Sequence, residues 1–195
     1  MMLLISITCF LQNCKKGSDA PTTPNEDNSF LNTTNYMFRG TFPDSSFLWK
    51  YGVFDFQRGA GAINLGSNEN NIKSLTFDLV ANWDLSTRID ITTPSYDASS
   101  EELFSKTLAV GDKQLGSRYS QFELVLTLNK TRYTTSGDQT NSLFKILKTE
   151  KSKDEFQRDI VLVWFKVNCK FYSTVDASSF VLKDGYLLAG FTYNL

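Results

Sequence analysis

Between Ile160 and Tyr172 the chain alternates without a slip: every odd position from Val161 to Phe171 is apolar, while the even positions turn polar after Trp164. A period of two over such a run belongs to extended chain with one buried face. Shorter stretches repeat the pattern, with Phe122, Leu124, Leu126 and Leu128 on one side of their segment, Leu75, Phe77 and Leu79 on another, and Ile89 and Ile91 on a third. The segments around Tyr36-Met37-Phe38 and from Phe47 to Phe56 add strands at the N-terminal side. Phe180-Val181-Leu182 and Tyr186 to Tyr193 add a C-terminal pair, which Lys183-Asp184-Gly185 is expected to join as a hairpin. Turn formers at Asn68 to Asn71, Thr93-Pro94, Ser136-Gly137-Asp138 and Lys151 to Asp154 cut the chain at intervals suited to an all-β fold. The expectation is an antiparallel β-sandwich of about nine or ten strands, with a calycin-like β-barrel as the alternative. Ser99 and Glu102, ahead of Leu103, Phe104 and Leu108, form a capping box that predicts one short helix over 100–107.

The first residues follow other rules. Residues 1–13 form an apolar run without a charge, and Cys14, Lys15 and Lys16 follow directly. The run is too short for a hydrocarbon core that needs about 20 residues, and it suits the h-region of a signal peptide. Leu11-Gln12-Asn13-Cys14 resembles the lipobox of bacterial lipoproteins, whose cysteine is acylated and becomes the mature N-terminus. The resemblance implies a lipidated Cys14 and a Gram-negative envelope protein, and Lys15 after the cysteine implies sorting to the outer membrane. Whether the domain faces the periplasm or the cell exterior stays open. No Lys or Arg precedes the apolar run, so translation is expected to start further upstream. The other reading makes residues 1–13 a buried strand and Cys14 a surface thiol. Against it stands Gly17 to Ser29, a stretch with two prolines and no large apolar residue, the composition of a flexible tether. The expected layout is therefore a cleaved leader at 1–13, a lipidated tether at 14–29, and a single β-domain at 30–195.

The chain contains no histidine, which removes Ser-His-Asp and Cys-His nucleophile systems and His-ligated zinc. A net charge of -1 gives no basic excess for a nucleic-acid partner. Once Cys9 leaves with the leader and Cys14 is acylated, Cys169 stands alone, on the apolar face of its strand, where it reads as a small hydrophobe. Histidine-free catalysis needs convergent carboxylates, for which Asp90, Glu101, Glu102 and Glu123 are available. Glu101 and Glu102 also read as first-turn helix acids. No catalytic residue is assigned.

Trp164, Lys166, Asn168 and Tyr172 share the even face of the long strand, a mixture of flat apolar surface and polar tips that suits a sugar or peptide. Trp83, between Asn82 and Asp84, is a second aromatic of this kind. The competing reading covers that face and packs Trp164 with Ile160 and Leu162. No cofactor is expected; calcium is the one ion with donors in the sequence, at Asn25 to Asn28 and Asn68 to Asn71, and neither cluster has EF-hand order. Arg58-Gly59-Ala60-Gly61-Ala62 lacks the ending of a phosphate loop and predicts a bulge or bend. Lys145, Lys148, Lys151 and Lys153, balanced by Glu150, Asp154 and Glu155, read as a solvated loop. Taken together, these features lead us to expect a lipid-anchored outer-membrane protein with a non-catalytic binding or structural domain for a glycan or partner protein. The alternatives are a carboxylate-only glycan hydrolase and a barrel that carries a small apolar ligand.

Overall fold

A computed structural model describes residues 28–42, 45–53, 56–64, 71–81 and 86–192, with side chains left out at 28 and 60–64. The leader, Cys14, Trp83, Asn25 to Asp27 and Asn68 to Asn70 lie outside the described residues. The elements are α1 (Asn28–Leu31), β1 (Met37–Phe42), β2 (Ser45–Lys50), β3 (Phe56–Asn64), β4 (Ile72–Ala81), β5 (Thr87–Thr92) and β6 (Tyr96–Asp97). Then come α2 (Glu101–Thr107), β7 (Gly111–Asp112), β8 (Glu123–Leu128), β9 (Thr131–Thr134), β10 (Leu143–Lys153), β11 (Asp159–Ser173) and β12 (Ser179–Thr192). Helix α1 starts inside the stretch assigned to the tether, and its Phe30 is buried.

The chain is all-β, as its periodicity requires. All strands belong to one antiparallel sheet with the order β2-β1-β12-β11-β9-β8-β5-β4-β3, and β10 pairs with β11 off this path. The sheet curls until its end strands approach: Trp49 of β2 stacks on Phe56 of β3 with ring centroids 5.3 Å apart, though no ladder joins the two. One nearly closed sheet lies closer to the barrel alternative than to a sandwich of separate layers. Aromatic rings pack across its interior. Phe165 stacks on Phe144 at 5.1 Å and meets Phe191 at 6.4 Å, and Phe191 reaches across to Phe77 of β4 at 6.5 Å. Phe38, Phe122, Phe165, Phe171 and Phe191 are each at most 2% exposed.

Strand β11 meets the expectation for 160–172, and Cys169 lies on its inward face, where burial pushes the thiol pKa up. Four local expectations change. Lys183-Asp184-Gly185 makes a bulge within a continuous β12, not a hairpin: Val167 pairs with Gly185 and Cys169 with Leu182, so Asn168 alone opposes Lys183 and Asp184. Asp184 sits at φ 50°, and a Cβ on Gly185 would collide with the Val167 carbonyl, so the Asp-Gly signal marks left-handed geometry without reversing the chain. The lysine-rich 145–153 stretch is strand β10. It pairs with β11 along its length and with β7 only at Lys145 and Ile146, and a mostly free edge is where lysines guard against stray pairing. The glycine pair at 59–61 causes no bulge, since β3 and β4 stay in register from Phe56 to Asn64. Helix α2 is capped by Ser100, whose Oγ accepts the Leu103 N–H at 3.3 Å, while Ser99 belongs to the Asp97 turn before it.

Two threonines repair the ladder where strands leave it. After β5, Thr93 donates its N–H to the Leu75 carbonyl at 3.0 Å and accepts the Leu75 N–H on Oγ1 at 3.0 Å. After β9, Thr135 does the same to Leu124, again at 3.0 Å for both bonds. Both threonines are fully buried, so the side-chain oxygen replaces a main-chain acceptor that water could not supply. Thr135→Val, which keeps the shape and removes the acceptor, is expected to lower stability by about 1–3 kcal/mol in urea unfolding. Thr135→Ser is expected to retain most of it; equal losses for both variants would mean that packing, not the hydrogen bond, is what counts.

Candidate functional site

Because the odd residues of β4 and β5 and the even ones of β8 turn inward, their neighbours face out together. The register then forms rows across the sheet. Thr76 lies beside Thr92, and Thr92 beside Glu123; Asp78 beside Asp90, then Val125 and Thr134; Val80 beside Arg88, then Thr127 and Arg132. Arg118, from the loop before β8, joins them at the rim of a cleft of about 440 Å³, within the size range of small-molecule sites. Gly59 of β3 lies opposite Asp78, and a Cβ there would collide with the Asp78 carboxylate. This is the use of the glycine in that strand.

Charge is distributed unevenly over the cleft. Arg88 Nε donates to both carboxylate oxygens of Asp90, at 2.9 and 2.8 Å, and its Nη2 contacts Oδ1. That pair is closed on itself. Glu123 accepts the Thr134 hydroxyl on Oε1 at 2.6 Å, whereas its Oε2 is buried with no protein partner among the described residues. Glu123 as a whole is only 6% exposed. Arg118 and Arg132 are exposed, and among the described residues neither forms an ion pair, though both act electrostatically on Asp90. Arg118 rests over its neighbour Tyr119, 4.9 Å from the ring centroid. Burial raises the Asp78 pKa against the pull of Arg88, and the facing Asp90 adds to the rise; burial raises Asp90 as well, against its bond to Arg88.

The aromatic face read from the sequence is placed elsewhere. Trp164 is 0% exposed: its indole N–H donates to the carbonyls of Phe30 at 3.1 Å and Thr33 at 3.2 Å, and Lys148 Nζ lies 4.4 Å from its ring. It is a core residue, covered by the segment that leads into β1, and it offers no surface to a ligand. Lys166, Asn168 and Tyr172 are half-buried on the same face; Asn168 Oδ1 lies unpaired at the β12 bulge, and the Tyr172 hydroxyl donates to the Asp138 carbonyl at 2.5 Å. None of them lines the cleft. Of the carboxylates singled out, Asp90 and Glu123 do share it, whereas Glu101 pairs with Lys151 at 3.2 Å on the helix side.

Asp78, Arg88, Arg118 and Arg132 carry no motif. For Asp78, Arg88 and Arg132 the sequence signal is a polar outward position in a strand, which needs the register to become a site; Arg118, in a loop, carries none. Compared with protein families, curated proteins and solved structures, the chain matches none, so the cleft is read from its own geometry.

A carboxyl whose pKa is higher in the folded than in the unfolded state costs stability wherever it is ionised. For Asp78 that cost is full above its folded pKa and fades as pH falls through it towards the ordinary 3.8. Asp78→Asn is therefore expected to raise the thermal midpoint at pH 7, with the gain shrinking on acidification. A loss at pH 7 would show instead that the carboxylate holds the sheet together.

Proposed function

We propose that the chain is a lipid-anchored protein of the outer membrane whose β-domain is a non-catalytic binding module, with the cleft over β4, β5, β8 and β9 as its recognition site. The observation that carries this reading is Glu123 Oε2, a buried carboxylate oxygen without a protein partner among the described residues, in a cleft that also holds two arginines forming no ion pair among those residues. Such a group is costly in a fold and is retained where a ligand supplies the missing bond. The aromatic rings that meet across the interior, from Phe144 and Phe165 through Phe191 to Phe77, weigh against a carrier of apolar ligands, for which the barrel would have to be hollow. Anchoring rests on the lipobox-like Leu11-Gln12-Asn13-Cys14 and the tether after it. No helix among the described residues is long and apolar enough to cross a membrane.

A second reading has one observation in its favour: Asp78, Asp90 and Glu123 share a cleft, as the carboxylates of a histidine-free glycan hydrolase would. Binding is preferred because Arg88 holds both oxygens of Asp90. Mass spectrometry of the mature protein is expected to find acylated Cys14 at the N-terminus, and an unmodified Met1 or Cys14 would remove the anchor. Incubation with cell-wall and acidic polysaccharides is expected to release no reducing ends. Release that Glu123→Gln abolishes would replace the binding module with the hydrolase.

A further inference from the structure

We infer that the cleft takes an anionic saccharide, a polyhydroxylated ring bearing an acidic substituent, with the acid on Arg118 and Arg132 and a ring hydroxyl on Glu123 Oε2. The inference rests on the binding reading above and gives it a ligand class. Once Arg88 and Asp90 are set aside as a closed pair, the groups left over are two exposed guanidinium forks, the buried Glu123 acceptor and Asp78, whose carboxyl lies beside Asp90 and away from the Arg132 row. Guanidinium forks match carboxylate, sulfate and phosphate alike, by paired N–H donors. A carboxylate oxygen as deep as Glu123 Oε2 demands a donor, and a hydroxyl supplies one without bringing a further charge into the site.

The walls agree with this partner. Thr76, Thr92 and Thr127 present hydroxyls, and among the described residues Val125 is the one apolar side chain that lines the cleft. An apolar peptide side chain would find no wall to pack against. None of the described residues that line the cleft is aromatic, so a neutral glycan held by stacking finds no platform among them.

The test is thermal unfolding of the full chain against a fixed panel, since a ligand that binds only the folded state raises the midpoint. The probes are trigalacturonate, glucose 6-phosphate, cellotriose, inorganic phosphate and a glutamate-rich peptide. Trigalacturonate or glucose 6-phosphate is expected to raise the midpoint, with the stronger of the two naming carboxylate or phosphate as the acid, and cellotriose to do nothing. Arg118→Gln with Arg132→Gln is expected to weaken binding at least tenfold, as is Glu123→Gln. Both arginines are exposed, so that double variant keeps its fold, and its own midpoint verifies this. A shift from inorganic phosphate or the peptide alone, lost in the arginine variant, would overturn the saccharide class and leave the cleft as a binding site. No shift from any probe, or a shift unchanged in both variants, would overturn the cleft reading itself.

Discussion

Strand β11 is the member on which the other strands depend. Along one edge it pairs with β12 from Ile160 to Tyr172, while its other edge is divided between β10, up to Asn168, and β9, at Tyr172 and Ser173. A fork of this kind leaves backbone groups of the shared strand without a neighbour. Gln139 closes the gap: its Nε2 donates to the Lys170 and Thr135 carbonyls, each at 2.8 Å, and its Oε1 accepts the Lys170 N–H at 3.2 Å. A side-chain amide thus stands in for a stretch of ladder, which lets a single sheet branch and still curl nearly shut.

Curling places one face of every strand inside and leaves the other to be covered or used. On β11 and β12 the outer face is covered near Trp164, where the chain before β1 lies across it and Arg39 sits 4.6 Å over the Tyr186 ring. Beside β3, Arg58 is buried against Tyr36, 4.9 Å from its ring, and lies 3.0 Å from Glu155 in the turn between β10 and β11. In that turn burial alone would raise the Asp154 carboxyl, but Arg158 and the backbone N–H groups of Arg158 and Phe156 overcome it and hold the pKa at about 2. Each charge there meets an opposite one, Arg58 with Glu155 and Asp154 and Arg158 with Asp154, and supports the fold. Over β4, β5 and β8 this does not hold among the described residues, and carboxyls pushed up by burial beside an unpaired oxygen mark a face arranged for something other than stability.

Features that depend on near neighbours were legible in the sequence. The alternation in 160–172 and 122–128 located β11 and β8, and the acids ahead of Leu103 located α2. Asp-Ala-Ser-Ser stands at 97–100 and again at 176–179 and makes the same turn twice: Asp97 Oδ1 accepts the Ser99 N–H at 2.9 Å and Asp176 Oδ1 the Ser178 N–H at 2.9 Å. Features that depend on distant partners were not legible. Trp164 read as an exposed candidate because its cover, Phe30, lies far away in the chain. Asp-Gly read as a turn because only the register with Asn168 makes it a bulge. Asp90 and Glu123 were visible as acids, but their meeting with Asp78 and Arg132 follows from four strands aligning, which no spacing along the chain encodes.

The central claim is that the inward face makes the fold while the charged outward face of β4, β5 and β8 serves a ligand. The urea unfolding curve of the double variant Asp78→Asn and Glu123→Gln tests it most directly, because it removes the two cleft carboxylates that form no ion pair among the described residues. The account predicts a single cooperative transition with an unchanged slope and a midpoint equal to or above that of the natural chain. A lower midpoint, or a broadened transition, would mean that these carboxylates hold the sheet together and that the cleft is part of its structure.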